Sequence, residues 1–147
     1  MNYNLEDIVN HRIAMLAILL KRQILRIIAK NGLDITPEQW VILYHLWDKD
    51  GMTISEVANI SRKDIANATR IIDKLEKMGY VSKKRNENDS RSYLITALPK
   101  VEEIKNKVQN CWKESVEIAT EGISQSEQQF LLTIIEKIES NVLKNLE

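Results

Sequence analysis

Four glycines punctuate this 147-residue chain, and each follows a stretch with helical apolar spacing: Gly32, Gly51, Gly79 and Gly122. Glycine is the usual residue just past a helix, because it adopts the left-handed cap without a Cβ penalty. Helix starts are marked as well. Thr36-Pro37-Glu38-Gln39 offers a capping Thr, a first-turn Pro and a Gln that can reach back to the cap. Thr53-Ile54-Ser55-Glu56 and Ser124-Gln125-Ser126-Glu127 are capping boxes, and Ser61-Arg62-Lys63-Asp64 is a weaker version with Asp where Glu is usual. Starts and stops agree with one another, which predicts a mainly α chain. Helices are expected over 5–30, 37–49, 54–59, 62–78, 99–120 and 125–146. Strands are expected over 80–84 and 92–96, joined by the polar hairpin loop 85–91.

Several function classes drop out. One Cys excludes a disulfide framework and a Cys-built zinc site, and two His at no repeated spacing make a metal unexpected. There is no Gly-rich phosphate loop and no recognisable catalytic constellation. No catalytic residue, metal or cofactor is therefore expected, and the chain does not read as an enzyme. The longest apolar run, 13–20, falls far short of the roughly 20 residues that span a bilayer. The opening MNYNLED has no basic segment ahead of an apolar stretch. No signal peptide, no membrane partner and a cytoplasmic location are the expectations.

Lys plus Arg and Asp plus Glu both number 21, so the formal net charge is zero. The balance is uneven along the chain: residues 61–96 carry nine basic and five acidic side chains, against neutral or acidic flanks. A basic block in a neutral chain is either a polyanion-binding surface or a solvated face.

The spacing decides more. On a helix over 62–78, Ile65, Ala68, Ile72 and Leu75 form one stripe expected to be buried. Lys63, Asn67, Arg70, Lys74 and Lys77 form a second stripe with four cations, one amide and no acid. A major groove suits such a face, with Arg62 at the expected helix start as a further candidate DNA contact: Arg reads guanine, Asn reads adenine and Lys holds phosphate. The short helix before it, joined through Ile60-Ser61, completes a helix-turn-helix layout. The hairpin adds Lys83, Lys84 and Arg85 at the end of one strand, and Arg91 on the loop, where it can enter a narrow minor groove. Arg91 can equally pair with Asp89 to stabilise the hairpin, or do both, with Asp89 orienting it. Helix-turn-helix plus basic hairpin is a winged helix.

The segments ITPEQWVIL (35–43), MTISEVANI (52–60), ATRIIDKLEKMGYVSKK (68–84) and NDSRSYLI (88–95) resemble the MarR family of bacterial transcriptional regulators. Their Thr-Arg pair, Leu-Glu pair, Gly followed by two apolar residues, and Asp-Ser-Arg wing signature carry the likeness. Two departures stand out. The family's Leu-Thr-Pro-x-Gly after the wing is here Ala97-Leu98-Pro99-Lys100-Val101, which leaves Thr96 as the candidate cap for the next helix. The common wing-tip Pro is also missing.

The apolar stripes of the first and last helices fit a dimer interface better than packing within one subunit, and the resemblance implies the same, with the first, fifth and sixth helices intertwined. It thus divides the chain into an N-terminal dimerisation helix (1–34), a DNA-binding winged helix-turn-helix (35–98) and C-terminal dimerisation helices (99–147). It further implies double-stranded DNA as partner, in a pseudo-palindrome with half-sites about one turn apart. A small aromatic or anionic effector is implied too, for which Trp40, Tyr44, Trp47 and Trp112 are candidate walls; core packing is the favoured reading of these aromatics. Cys111 lies on an apolar stripe and reads as a buried, inert thiol, with a thiol-responsive regulator as the sharper alternative. The expected function is a homodimeric transcriptional repressor, with a winged-helix protein-interaction module as the other reading.

Overall fold

The structure, a computed structural model, describes residues 4–147, so the first three residues of the 1–34 segment lie outside it. A short 3-10 turn, Leu5–Asp7, leads into α1 (Val9–Lys30). Next come α2 (Pro37–Leu46), β1 (Met52–Thr53), α3 (Ile54–Ser61) and α4 (Ile65–Lys77). The strands β2 (Val81–Arg85) and β3 (Tyr93–Ala97) form the hairpin, and α5 (Lys100–Ala119) and α6 (Gln125–Leu146) complete the chain. The sheet is antiparallel in the order β1-β3-β2. The fold is a winged helix with long helices before and after it.

Three predicted capping boxes form with both reciprocal hydrogen bonds: Thr36 with Gln39, Thr53 with Glu56, and Ser124 with Glu127. The fourth does not. The Ser61 hydroxyl donates to the Val57 carbonyl (2.6 Å) inside α3, and Asp64 caps α4 instead, accepting from the Asn67 N–H (2.7 Å). Arg62 and Lys63, expected in the first turn of α4, form the turn between the two helices. Their amides close a Schellman-type cap on α3: Arg62 N–H to the Asn59 carbonyl and Lys63 N–H to the Ala58 carbonyl. Arg62 sits in the left-handed region (φ 50°, ψ 42°), where glycine is usual and another residue costs about 1 kcal/mol.

Other departures have equally local causes. Asn4 caps the 3-10 turn and Ile8 is extended, so the first predicted helix is broken near its start. Gly51 (φ 152°) permits β1 to approach β3: a Cβ there would lie 3.2 Å from the Leu94 Cβ. Tyr80 belongs to the cap of α4, donating its N–H to the Leu75 carbonyl (3.0 Å), so β2 starts one residue later than predicted. Thr96 does not cap α5; its hydroxyl pairs with Ser82 across the hairpin (3.0 Å). Lys100 takes a different role, donating to the Met78 carbonyl at the end of α4 (2.7 Å) with its ammonium 4.7 Å from the Tyr80 ring centroid. It thereby ties the start of α5 to the end of α4.

The core lies where α2, α3, α4 and the sheet meet, around Ile42, Leu43, Val57, Ile72, Leu75 and Ile95. Ile24, Ile27 and Ile28 of α1 and Val101, Val108 and Cys111 of α5 extend it. Ile65, expected on the buried stripe, is 49 % exposed at the first position of α4. Residues 13–20, expected to be buried on more than one side, are all exposed within the subunit, and α6 buries none of its residues. Among the described residues no helix is long and apolar enough to cross a membrane.

Candidate nucleic-acid interface

Ala68, Ile72 and Leu75 anchor α4 in the core, which turns its opposite side outward. That side carries Asn67, Arg70, Lys74 and Lys77, with Lys63 just ahead of the helix. Lys63, Asn67, Arg70 and Lys74 line one groove together with Thr36 and Gln39 at the start of α2. Among the described residues, no carboxylate lies within 4.0 Å of the charged nitrogens of Lys63, Arg70, Lys74, Lys77, Lys84, Arg85 or Arg91. Unpaired, exposed cations keep their full charge for an external anion.

Two predicted contact residues have carboxylate neighbours within the protein. The Lys83 ammonium meets the Asp73 carboxylate and lies 3.8 Å from Glu76, both on α4. The Asp73 contact holds the Lys83 pKa above the usual lysine value. Lys83 therefore fastens the wing to α4. Arg62 lies off the α4 stripe, with its guanidinium 3.9 Å from Glu139 of α6.

The wing tip is shaped by hydrogen bonds. Asn86 donates from its side chain to the Ser92 hydroxyl (3.0 Å), and Asp89 accepts from the backbone N–H of Arg91 (3.0 Å). Asp89 thus orients Arg91 through its backbone, and of the two alternatives left open for Arg91 the side-chain pair with Asp89 is not formed among the described residues. The Arg91 side chain stays exposed beside β3.

Asp64 was missed as a site residue, although an acid three positions before Asn67 is a readable cap signal. Its carboxylate accepts from both the backbone N–H and the side-chain amide of Asn67, each at 2.7 Å. The backbone hydrogen bond is the main cause that holds its pKa below the usual aspartate value; the side-chain bond and the Arg70 charge add to it against partial desolvation. A lowered folded-state pKa means that this cap stabilises at neutral pH and is lost as pH falls through that value.

A cavity of about 670 Å³ lies between α1, α2, α5 and the α3–α4 turn. Leu20, Ile24, Val41 and Val116 give it apolar walls, and Arg62 and Lys63 stand at its edge. Of the four candidate aromatics only Trp112 lines it, and the Trp112 indole N–H is buried without an acceptor among the described residues. Trp40, Tyr44 and Trp112 line a smaller groove of about 340 Å³. Trp47 lines neither; it packs edge-on against Trp40 (5.7 Å between centroids) under the Lys105 ammonium. Cys111 is 1 % exposed, and burial raises its thiol pKa, with Glu114 adding to the effect.

Comparison with known proteins agrees with this geometry. Residues 35–93 match the MarR family model. An uncharacterised HTH-type transcriptional regulator, YybA of Bacillus subtilis, is 22 % identical over 117 residues, covering 80 % of this chain and 78 % of that protein. A MarR protein from Peptoclostridium difficile superposes with a TM-score of 0.83 at 25 % identity, over 99 % of this chain and 91 % of the other. A cysteine-to-serine mutant of MarR from E. coli, complexed with operator DNA, has the same fold: TM-score 0.81, 21 % identity, 88 % and 92 % covered. The winged helix thus matches the MarR family of transcriptional regulators over residues 35–93, and the chain as a whole takes the fold of MarR structures.

Proposed function

We propose that the chain acts as a homodimeric, cytoplasmic repressor whose α4 enters the major groove and whose wing reaches the minor groove of a pseudo-palindromic operator. The observation that carries this reading is the clustering of unpaired cations on α4 and the wing of an otherwise neutral or acidic chain. Support for the dimer comes from the apolar sides of α1 and α6 that the subunit leaves uncovered. Two subunits related by a two-fold axis present two α4 helices to half-sites about one turn apart.

Selection from random duplexes at two salt concentrations tests the reading. A recovered pseudo-palindrome, with binding that falls steeply as salt rises, is the expected result. Binding without sequence preference would favour a protein-interaction module instead.

Regulation is proposed to act through the 670 Å³ cavity. It joins apolar walls to the Arg62–Lys63 turn that precedes α4, so a small aromatic or anionic ligand there bears on both. A ligand that prefers one arrangement of that turn shifts DNA affinity by its differential binding. Cys111 is not the sensor in this reading, since a buried, protonated thiol reacts slowly. Organic hydroperoxide is expected to weaken DNA binding equally in the wild type and in Cys111→Ser, if at all. A response lost in Cys111→Ser would restore the thiol switch.

A further inference from the structure

Asn67 occupies the position from which an amide could read adenine, yet its side chain is engaged on both sides. Its Nδ2 donates to the Asp64 carboxylate (2.7 Å), and its Oδ1 accepts from the Arg70 guanidinium. Asp64, Asn67 and Arg70 follow one another at three-residue spacing, so they stack along one side of α4, where such neighbours meet. Asn67 is half-buried and Arg70 is exposed. The chain of bonds ends on Arg70, which spends one of its five N–H donors on Asn67. Among the described residues it has no other hydrogen-bond or ion-pair partner, so its remaining donors can meet both acceptors of a guanine.

A lone Arg on a helix surface samples many rotamers, and the order imposed on binding is paid from affinity. Here the amide holds the guanidinium in place before DNA arrives. The carboxylate in turn fixes the amide: with Asp64 accepting from Nδ2, Oδ1 is the atom turned toward Arg70.

We infer that Asn67 is a positioning residue, anchored by Asp64, that presents Arg70 to a guanine in each half-site, and that it reads no base of its own. The assignment rests on the DNA-reading function proposed above and deepens it. It replaces the expectation of an adenine contact from Asn67 with one shared position, set by Arg70 and sharpened by Asn67.

The test compares selected-duplex profiles for the wild type and four variants. Arg70→Ala should lose a guanine preference at one position per half-site, about 10-fold or more. Asn67→Ala should relax that same position by a smaller factor and change no other. The Arg70→Ala/Asn67→Ala double variant should match Arg70→Ala alone, because the amide acts only through the guanidinium. Asn67→Asp keeps an acceptor for Arg70; it should retain the guanine preference while lowering affinity for all sequences, through repulsion of phosphate. A general loss of helix structure would not spare one position's preference in this way. Loss of an adenine preference in Asn67→Ala, or an unchanged profile around a recovered operator, would overturn the assignment alone. A wild type that selects no sequence would overturn both the assignment and the function beneath it.

Discussion

Leu131→Lys is expected to give a protein whose winged-helix core still folds but which neither dimerises nor holds its operator. Leu131 is 50 % exposed in the subunit, on a helix that buries nothing there, so its replacement removes no contact from the core. Phe130 is 68 % exposed and Leu146 77 %, on the same helix. A surface of that kind fits the proposed dimer interface better than a solvated face. Burying a Leu contributes about 1.5–3 kcal/mol, and two-fold symmetry counts each substitution twice. The loss is then about 3–6 kcal/mol, or roughly 100- to 20,000-fold in the dimer dissociation constant. An unpaired ammonium at the seam costs more still. Sedimentation equilibrium should find the variant monomeric at concentrations where the wild type is dimeric. Its operator affinity should drop with it, since each half-site is then bound alone. A variant that dimerises as the wild type does would place the interface elsewhere.

Much of this molecule was legible in its residues, and what was not had local reasons. The three boxes with Glu or Gln at the third position form as read, because both partners of each reciprocal bond are named in the tetrapeptide. The box starting at Ser61 failed because Ser61 had a better acceptor one turn back, in the Val57 carbonyl. The true turn carries Arg62 rather than Gly in its left-handed position, so its stop signal was silent. β1 is only two residues long and overlaps a capping box, which leaves periodicity nothing to detect. At the site, the cationic stripe on α4 follows from spacing alone. The partners of Lys83, Asp73 and Glu76, were not legible, because they come from another element and meet it only after the wing folds back. The cavity between α1, α2 and α5 was missed for the same reason: its walls are scattered along the sequence. Aromatic side chains drew attention to α2, where Trp40 and Trp47 mostly pack against each other.

That difference between paired and unpaired cations sets the second large effect. Replacing Lys74 and Lys77 together by Ala removes four positive charges from the proposed dimer. If each meets a phosphate, the slope of log affinity against log salt should fall by about 3.6, at about 0.9 per contact. Extrapolated from a 1 M reference, such a change corresponds to a loss of roughly 1,000-fold at 0.15 M salt. The loss should be uniform across sequences, because phosphate contacts position the protein without reading bases. Lys83→Ala removes two charges from the same dimer and serves as the control. Its ammonium already belongs to Asp73 and Glu76, side chains that remain partly exposed. Its removal should cost at most about 1 kcal/mol of stability and leave the slope nearly unchanged. Net charge alone would predict that the Lys83 variant loses half as much slope as the double variant. Equal loss per charge at all three positions would mean that a diffuse field holds the DNA. A steep loss confined to Lys74 and Lys77 would mean that α4 meets the backbone directly, as its unpaired face requires.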